Sequence, residues 1–154
     1  IKTFLDPSRD ALGASYQIQQ SLIAVGSGGV FGRGFGQSVQ KFEYLPEPVG
    51  DSIFAVAAEE FGFIGALTLV ALYLALALRG FRIAARAPDN FSALLVTGFV
   101  ILIVLQSFMN IGAMLGVIPL TGTPLIFVSK GGSALLFALA EAGIIINVSR
   151  YARG

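Results

Sequence analysis

DSIFAVAAEEFGFIGALTLVALYLALAL, residues 51–78, passes from an acidic start into an apolar run. From Phe61 to Leu78 this run carries no charge. A helix needs about 20 apolar residues to cross the ~30 Å hydrocarbon core of a bilayer, so we predict a membrane span over about 52–78. The carboxylate of Asp51 is then expected at the N-terminal end of that helix.

The rest of the chain repeats this apolar character. Hydrophobic residues make up 55% and charged residues 12%, against about 25% charged in an average soluble domain. Further spans are predicted over about 90–115 and 131–148. The proline- and glycine-containing segment between them, 116–130, is predicted to be a short non-helical connection. The predicted fold class is therefore an all-α polytopic membrane protein.

Composition also limits the chemistry. The chain has no Cys and no His, so thiol nucleophiles, disulfides and thiolate metal sites are excluded. A general base must then be a carboxylate, Lys or Tyr, and a metal must be a hard cation held by oxygen atoms. The net charge of +1 comes without a basic run, which gives no indication of nucleic-acid binding.

Residues 1–50 have a more polar organisation and are predicted to form an outer loop region. The segment Ala11–Val25 has the apolar spacing of an amphipathic helix at the interface or of a re-entrant helix. GSGGVFGRGFGQS, residues 26–38, matches no nucleotide-binding glycine pattern. Its N–H groups around Arg33 could bind an anion. The alternatives are a flexible loop or tight helix packing.

Arginine positions predict the orientation. By the positive-inside rule, the segment 79–89 and the C-terminus are expected in the cytoplasm, because both carry arginines. Residues 1–50 and 116–130 then lie outside. The arginines that set this orientation are Arg79, Arg82, Arg86, Arg150 and Arg153.

Two motifs closely resemble the SEDS family of cell-wall polymerases, of the FtsW and RodA type. They are GSGGVFGRGFGQSVQKFEYLPEPVGDSIFAVAAEEFGFIG, residues 26–65, and GVIPLTGTPLIFVSKGGSALL, residues 116–136. The QKFEYLPE wording is closer to the FtsW, or division, branch. The resemblance implies a ten-helix bundle, of which this chain is the large outer loop and the last three helices. We expect the 154 residues alone to be inactive, because the missing helices would form the opposite wall of the cavity.

The resemblance implies a peptidoglycan glycosyltransferase. Members of the family polymerise lipid II into glycan strands at the outer face of the bacterial cytoplasmic membrane, and a class B penicillin-binding protein, a transpeptidase, is the implied partner. The family's catalytic aspartate falls in a P-E-x-x-x-D segment, which here ends at Asp51. A carboxylate there could act as general base on the acceptor sugar hydroxyl.

Other charged residues are candidates for substrate binding. Arg33, Lys41 and Lys130 could contact the diphosphate, and Glu47 or Asp51 could hold a divalent cation, Mg²⁺ or Mn²⁺. Each has a structural alternative. Asp51 could cap a helix, Glu47 could pair with Lys41 or Arg33, and Lys130 could extend to the membrane interface.

Acidic residues inside the apolar runs are expected to face protein or a wet cavity. Glu59 lies about 80° from Asp51 around a helix and Glu60 about 180°, so of these two Glu59 could line the same cavity. Both are expected to order helix packing or a polar pocket. Glu141 is expected to be paired or protonated. A polar stripe predicts interhelical hydrogen bonds; it consists of Gln106, Ser107 and Asn110.

The chain departs from the family pattern at two places. His-Thr commonly precedes the aspartate, where this chain has Val49 and Gly50, and Tyr is usual where Lys130 stands.

Two other functions stay open at this point. The chain could belong to a flippase for lipid-linked precursors, with Asp51 as a gating or proton-coupling group, or to a non-catalytic membrane scaffold for a division transpeptidase.

Overall fold

The computed structural model describes residues 14–38, 50–120 and 122–151, and these residues form four helices without a strand. The all-α prediction is confirmed. Lys41 and Glu47 lie outside the described residues. The first three residues of the helix predicted over Ala11–Val25 lie outside them as well. The helices are α1, Ala14–Ser27; α2, Ile53–Ala85; α3, Asn90–Met114; and α4, Gly132–Arg150.

Three of the helices, α2, α3 and α4, are long and apolar enough to cross a membrane. Large apolar side chains stand exposed along all three, as a lipid-facing surface requires. The first of them is longer than expected. Because α2 continues to Ala85, Arg79 and Arg82 lie within the helix and not in the loop after it. Arginine is a good helix former, and no proline stops the helix after Leu78.

Gly80 lies where α2 and α3 pack closely against each other. A methyl group on Gly80 would meet the side chain of Val100 at 2.3 Å, so the glycine lets two antiparallel helices approach closely.

Asp89 starts α3 by accepting a hydrogen bond from the Ser92 N–H at 2.9 Å. This bond and one from the Ser92 hydroxyl lower the pKa of the Asp89 carboxyl. The cap therefore persists above the ordinary pKa and is lost only as the pH falls through the lowered value.

The long helix α2 is broken at Gly62, whose backbone has φ +68° and ψ −165°. In an unbroken helix each N–H bonds to the carbonyl four residues earlier. Here two carbonyls and two N–H groups lose those partners; they belong to Glu59, Glu60, Phe63 and Ile64. Burying such groups unpaired beside a membrane would be costly.

A glycine-rich turn, residues 28–38, supplies all four missing partners. The Arg33 N–H donates to the Glu59 carbonyl and the Gly34 N–H to the Glu60 carbonyl, both at 3.0 Å. In return the Phe63 N–H donates to Gly29 and the Ile64 N–H to Val30, at 2.9 and 3.3 Å. The turn is thus inserted into the hydrogen-bond ladder of α2.

Glycines make this insertion possible because the two backbones touch. A methyl group on Gly32 would lie 2.2 Å from the Glu60 carbonyl oxygen, and one on Gly62 would lie 2.3 Å from the Gly32 nitrogen. No side chain fits at either position. Of the alternatives for this segment, the described structure shows tight packing, with the Arg33 and Gly34 N–H groups bonded to α2.

The break folds the start of α2 back towards the bundle. Gly80 faces Val100, so in an antiparallel pair Asn110 should lie level with about residue 70. Yet the Asn110 amide bonds to the carbonyl of Asp51. In a straight helix residues 51 and 70 would be about 28 Å apart. The segment 53–61 therefore turns back and brings Asp51 to the end of α3.

The α3–α4 loop, residues 115–131 as far as described, also folds into the bundle. The Tyr73 hydroxyl donates to the Ile126 carbonyl. Leu125 and Ile126 are buried, and the next residue, Phe127, has a positive φ of 67°. Non-helical backbone at this depth is tolerated because protein groups satisfy it.

Alanine substitutions at three glycines should separate strain from contact at the break. In Gly62→Ala the positive φ and the backbone clash act together, and strain alone costs roughly 1–3 kcal/mol. Gly29→Ala has a φ of +56° but open space, so it should lose less. Gly98→Ala, with open space on α3, should be neutral or stabilising. Thermal unfolding of the full-length protein in detergent measures the order of stability of the three variants. Equal midpoints for Gly62→Ala and Gly98→Ala would contradict it.

Candidate functional site

Asp51 lies in the turn just before α2, where two other parts of the chain meet it. Its side chain is half-buried. A methyl group on Gly122 would lie 3.6 Å from Asp51 Oδ2, so the carboxylate rests against the backbone of the α3–α4 loop. The N-cap of α2 is Ser52, one residue later, and its hydroxyl accepts a hydrogen bond from Gln17 of α1 at 3.0 Å.

Asn110 joins the Asp51 turn to the α3–α4 loop. Its side-chain amide donates to the carbonyl of Asp51 at 2.8 Å and to the carbonyl of Thr123 at 2.7 Å. The residue is only 2% exposed. The sequence marked Asn110 for interhelical bonding, but the structure directs it to a turn and a loop.

Ser129 makes a second connection between the same two segments. Its hydroxyl donates to the Gly50 carbonyl at 2.7 Å and accepts from the Leu125 N–H at 2.8 Å. Lys130, the next residue, is exposed. A predicted phosphate contact and the predicted base are thus carried by segments that are bonded to each other.

Arg33 and Glu59 are brought together on the other side of the α2 break. The guanidinium of Arg33 lies 3.6 Å from the Glu59 carboxylate and is 43% exposed, while Glu59 is fully buried. Ser38 donates to Glu59 at 2.5 Å and Ser27 at 3.4 Å. Arg33 still has N–H groups to offer an anion, since guanidinium carries five. Its predicted phosphate contact stays a prediction.

Glu59 therefore connects α1 and the glycine-rich turn to α2. Glu60 is buried next to it. Glu141 is partly buried on α4, and within the described part of the chain no hydrogen-bond or ion-pair partner approaches it. The pairing expected for Glu141 is not found there.

The other two members of the polar stripe behave differently from Asn110. Gln106 reaches the Pro124 carbonyl of the α3–α4 loop at 3.5 Å, a weak bond. Ser107 donates to Ile103 of its own helix at 2.8 Å.

A divalent cation would need several oxygen donors close together. Among the residues that the structure describes, no group of three or more acidic side chains could hold a metal ion. Of the two predicted metal ligands Asp51 is described and Glu47 is not. A bound cation remains a prediction that would need donors from the substrate or from elsewhere in the protein.

Sequence reasoning missed Ser129 and Gly122 as neighbours of Asp51. Both lie in PLTGTPLIFVSKGGS, the second of the two motifs identified from sequence. Two motifs far apart in the chain often meet at one site, and this was the available signal. Which atoms meet depends on the folding back of α2, which the sequence did not indicate.

Fold and site together define an all-helical chain with three helices apolar enough to span a membrane, in which the turn before α2 and the α3–α4 loop meet at the half-buried Asp51. The family model FTSW_RODA_SPOVE, described as "Cell cycle protein", matches residues 1–154, and the chain belongs to this family. The resemblance seen in the sequence is confirmed.

Curated relatives extend the likeness. The chain is 50% identical over 153 residues to stage V sporulation protein E of Bacillus subtilis, covering 99% of this chain and 42% of the relative. It is 43% identical to the probable peptidoglycan glycosyltransferase FtsW of Geobacter sp. strain M18, covering 100% of this chain and 42% of that protein. Peptidoglycan glycosyltransferase MrdB of Escherichia coli K12 is 46% identical, with 96% of this chain and 40% of MrdB covered.

A solved structure agrees with the fold. Its description is "Structural coordination of polymerization and crosslinking by a peptidoglycan synthase complex". The TM-score is 0.74 at 32% sequence identity, with 98% of this chain and 40% of the other chain covered. The chain thus spans about two-fifths of the length of the relatives it matches.

Glu59 variants should show that this carboxylate holds the glycine-rich turn. Glu59→Ala removes the acceptor of the short hydrogen bond from the buried Ser38 hydroxyl, which should cost about 1–3 kcal/mol, while Ser27 keeps its bond to the Ala24 carbonyl. Glu59→Gln retains one acceptor oxygen and should lose less. Arg33→Ala should lose least, because a half-exposed ion pair contributes little. The readouts are thermal unfolding and hydrogen exchange at the Arg33 and Gly34 amides. Unchanged exchange in Glu59→Ala would contradict this role.

Proposed function

We propose that the protein containing this chain is a peptidoglycan glycosyltransferase that polymerises lipid II, with Asp51 as general base. The observation that carries the proposal is the position of Asp51. The two motifs of the family meet there through Asn110 and Ser129, and the carboxylate remains partly open to solvent. Family membership and two relatives named as glycosyltransferases support it, and they do not favour a flippase or a scaffold.

The chemistry needs one base and some positive charge. A hydroxyl of the acceptor sugar attacks the anomeric carbon of the donor, and its proton passes to the Asp51 carboxylate. The bond from that carbon to the diphosphate oxygen breaks, and the lipid diphosphate leaves with both bonding electrons. Because this leaving group is already stable as an anion, cations near it do more than an acid would.

Lys130 and Arg33 are the described cations proposed for the diphosphate. Lys130 is exposed and follows Ser129, which is bonded to the Asp51 turn. Arg33 is half-exposed beyond the break in α2. Lys41 and Glu47 remain proposed substrate contacts on the basis of the family motif alone. A bound Mg²⁺ or Mn²⁺ is proposed as the cofactor that would supply further positive charge.

The proposed location is the bacterial cytoplasmic membrane, with the Asp51 end outside. The helices run antiparallel, so Arg79, Arg82, Arg86 and Arg150 lie at the end opposite to Asp51. The positive-inside rule places that end in the cytoplasm. A transpeptidase of the penicillin-binding class is the proposed partner, in keeping with the polymerisation and crosslinking named for the solved relative.

The direct test gives labelled lipid II to the purified full-length protein in detergent. The wild type should make glycan strands in the presence of penicillin and moenomycin, which suppress contaminating enzymes. Asp51→Asn should lower the rate by about 10²–10⁴-fold, the usual contribution of a general base. Asp89→Asn is the matched control, because Asp89 is an exposed acid at the opposite end, and it should keep the wild-type rate.

Three outcomes would contradict the proposal. Full polymerisation by Asp51→Asn would remove Asp51 as the base. Movement of lipid II across vesicle membranes without any polymer would indicate a flippase. Normal growth of cells in which Asp51→Asn is the sole copy would indicate a scaffold.

A further inference from the structure

We infer that Asn110 and Ser129 are positioning residues that fix the direction of the Asp51 carboxylate from behind, through main-chain carbonyls. The inference rests on the proposed function, since it assigns these residues to the same reaction. Neither side chain touches a substrate in this assignment. They act on the peptide groups of Gly50 and Asp51, which set where the Asp51 side chain leaves the backbone.

Asn110 uses both protons of one amide for two different segments. At 2.8 Å to Asp51 and 2.7 Å to Thr123 the two bonds are short and are shielded from water, because Asn110 is 2% exposed. Its Oδ1 is buried without a hydrogen-bond partner among the described residues. The reverse amide orientation would turn this oxygen towards two carbonyl oxygens, so the donors fix how the group is turned.

Ser129 completes the arrangement by using its hydroxyl in both senses. It donates to Gly50 at 2.7 Å and accepts from Leu125 at 2.8 Å. The turn before α2 is therefore held at two successive carbonyls by residues of α3 and of the loop after it. Two anchor points prevent rotation about the peptide chain, which a single hydrogen bond would allow.

The loop anchored in this way also forms part of the wall around Asp51. Gly122 stands next to Asp51 Oδ2, and Thr123 shares the Asn110 amide with Asp51. Loss of either anchor would let the carboxylate and its wall move independently. A misplacement of about 1 Å can cost a reaction about 10²-fold.

The test compares four variants of the full-length protein in the lipid II assay. Asn110→Ala and Ser129→Ala should lower kcat by about 10–100-fold with KM for lipid II changed less than about threefold. Ser129→Thr keeps the hydroxyl and should recover most of the rate. Gln106→Ala is the matched control. It lies one turn from Asn110 and reaches the same loop, but it does not contact the Asp51 turn, so it should keep the wild-type kcat.

A double-mutant comparison separates positioning from general stability. In an Asp51→Glu background the carboxylate is already displaced, so Asn110→Ala should cost less there than in the wild type. Equal losses in both backgrounds would overturn the inference, as would a fall in kcat for Gln106→Ala as large as for Asn110→Ala. If Asn110→Ala does not fold, Ser129→Ala against Ser129→Thr still decides, because equal kcat in those two variants also overturns it.

Failure of this inference is distinct from failure of the proposed function. Polymer from the wild type and none from Asp51→Asn, with full kcat in Asn110→Ala and Ser129→Ala, would reject the positioning role alone. Absence of polymer from the wild type would reject the proposed reaction itself.

Discussion

The mutual hydrogen bonding between the break in α2 and the glycine-rich turn is the constraint on which the rest of this structure depends. Four peptide groups lose their helical partners at Gly62, and four groups of the turn replace them. The replacement needs backbone contact that only glycine permits at Gly32 and Gly62. Glu59 reinforces it from inside through Ser27, Ser38 and Arg33. Without these partners a buried break would be too costly to form.

The break has its main consequence at the other end of the short segment 53–61. Because this segment turns back, Asp51 arrives at the end of α3 and not about 28 Å beyond it. There Asn110 and Ser129 hold the peptide groups before and at Asp51. In the proposed reaction this half-buried carboxylate would take the proton of the acceptor sugar hydroxyl. The fold and the proposed chemistry would then be connected through main-chain hydrogen bonds.

Much of this architecture could be predicted from the sequence, for physical reasons that differ between elements. Uncharged apolar runs identified the three long helices, and the family motifs indicated Asp51 as the candidate base, which stays a prediction. The break at Gly62 could not be predicted, because a glycine within an apolar run reads as part of a continuous span. The extension of α2 through Arg79 and Arg82 was missed because arginines were taken as loop residues. The role of Asn110 depended on the break and was therefore assigned to helix contacts.

The hydrogen bonds from Asn110 and Ser129 to main-chain carbonyls form a clamp around the proposed base. This clamp has an evolutionary consequence. A carbonyl is present whatever side chain its residue carries, so the clamp places no demand on the identity of residue 50 or residue 123. Residue 50 is a glycine, and the bond from Ser129 to its carbonyl is made without any side chain there. If Asp51 is the base, as proposed, mutations at such positions would reshape the surrounding surface while the proton acceptor stays in place. New substrate preferences could therefore arise by drift without first losing turnover.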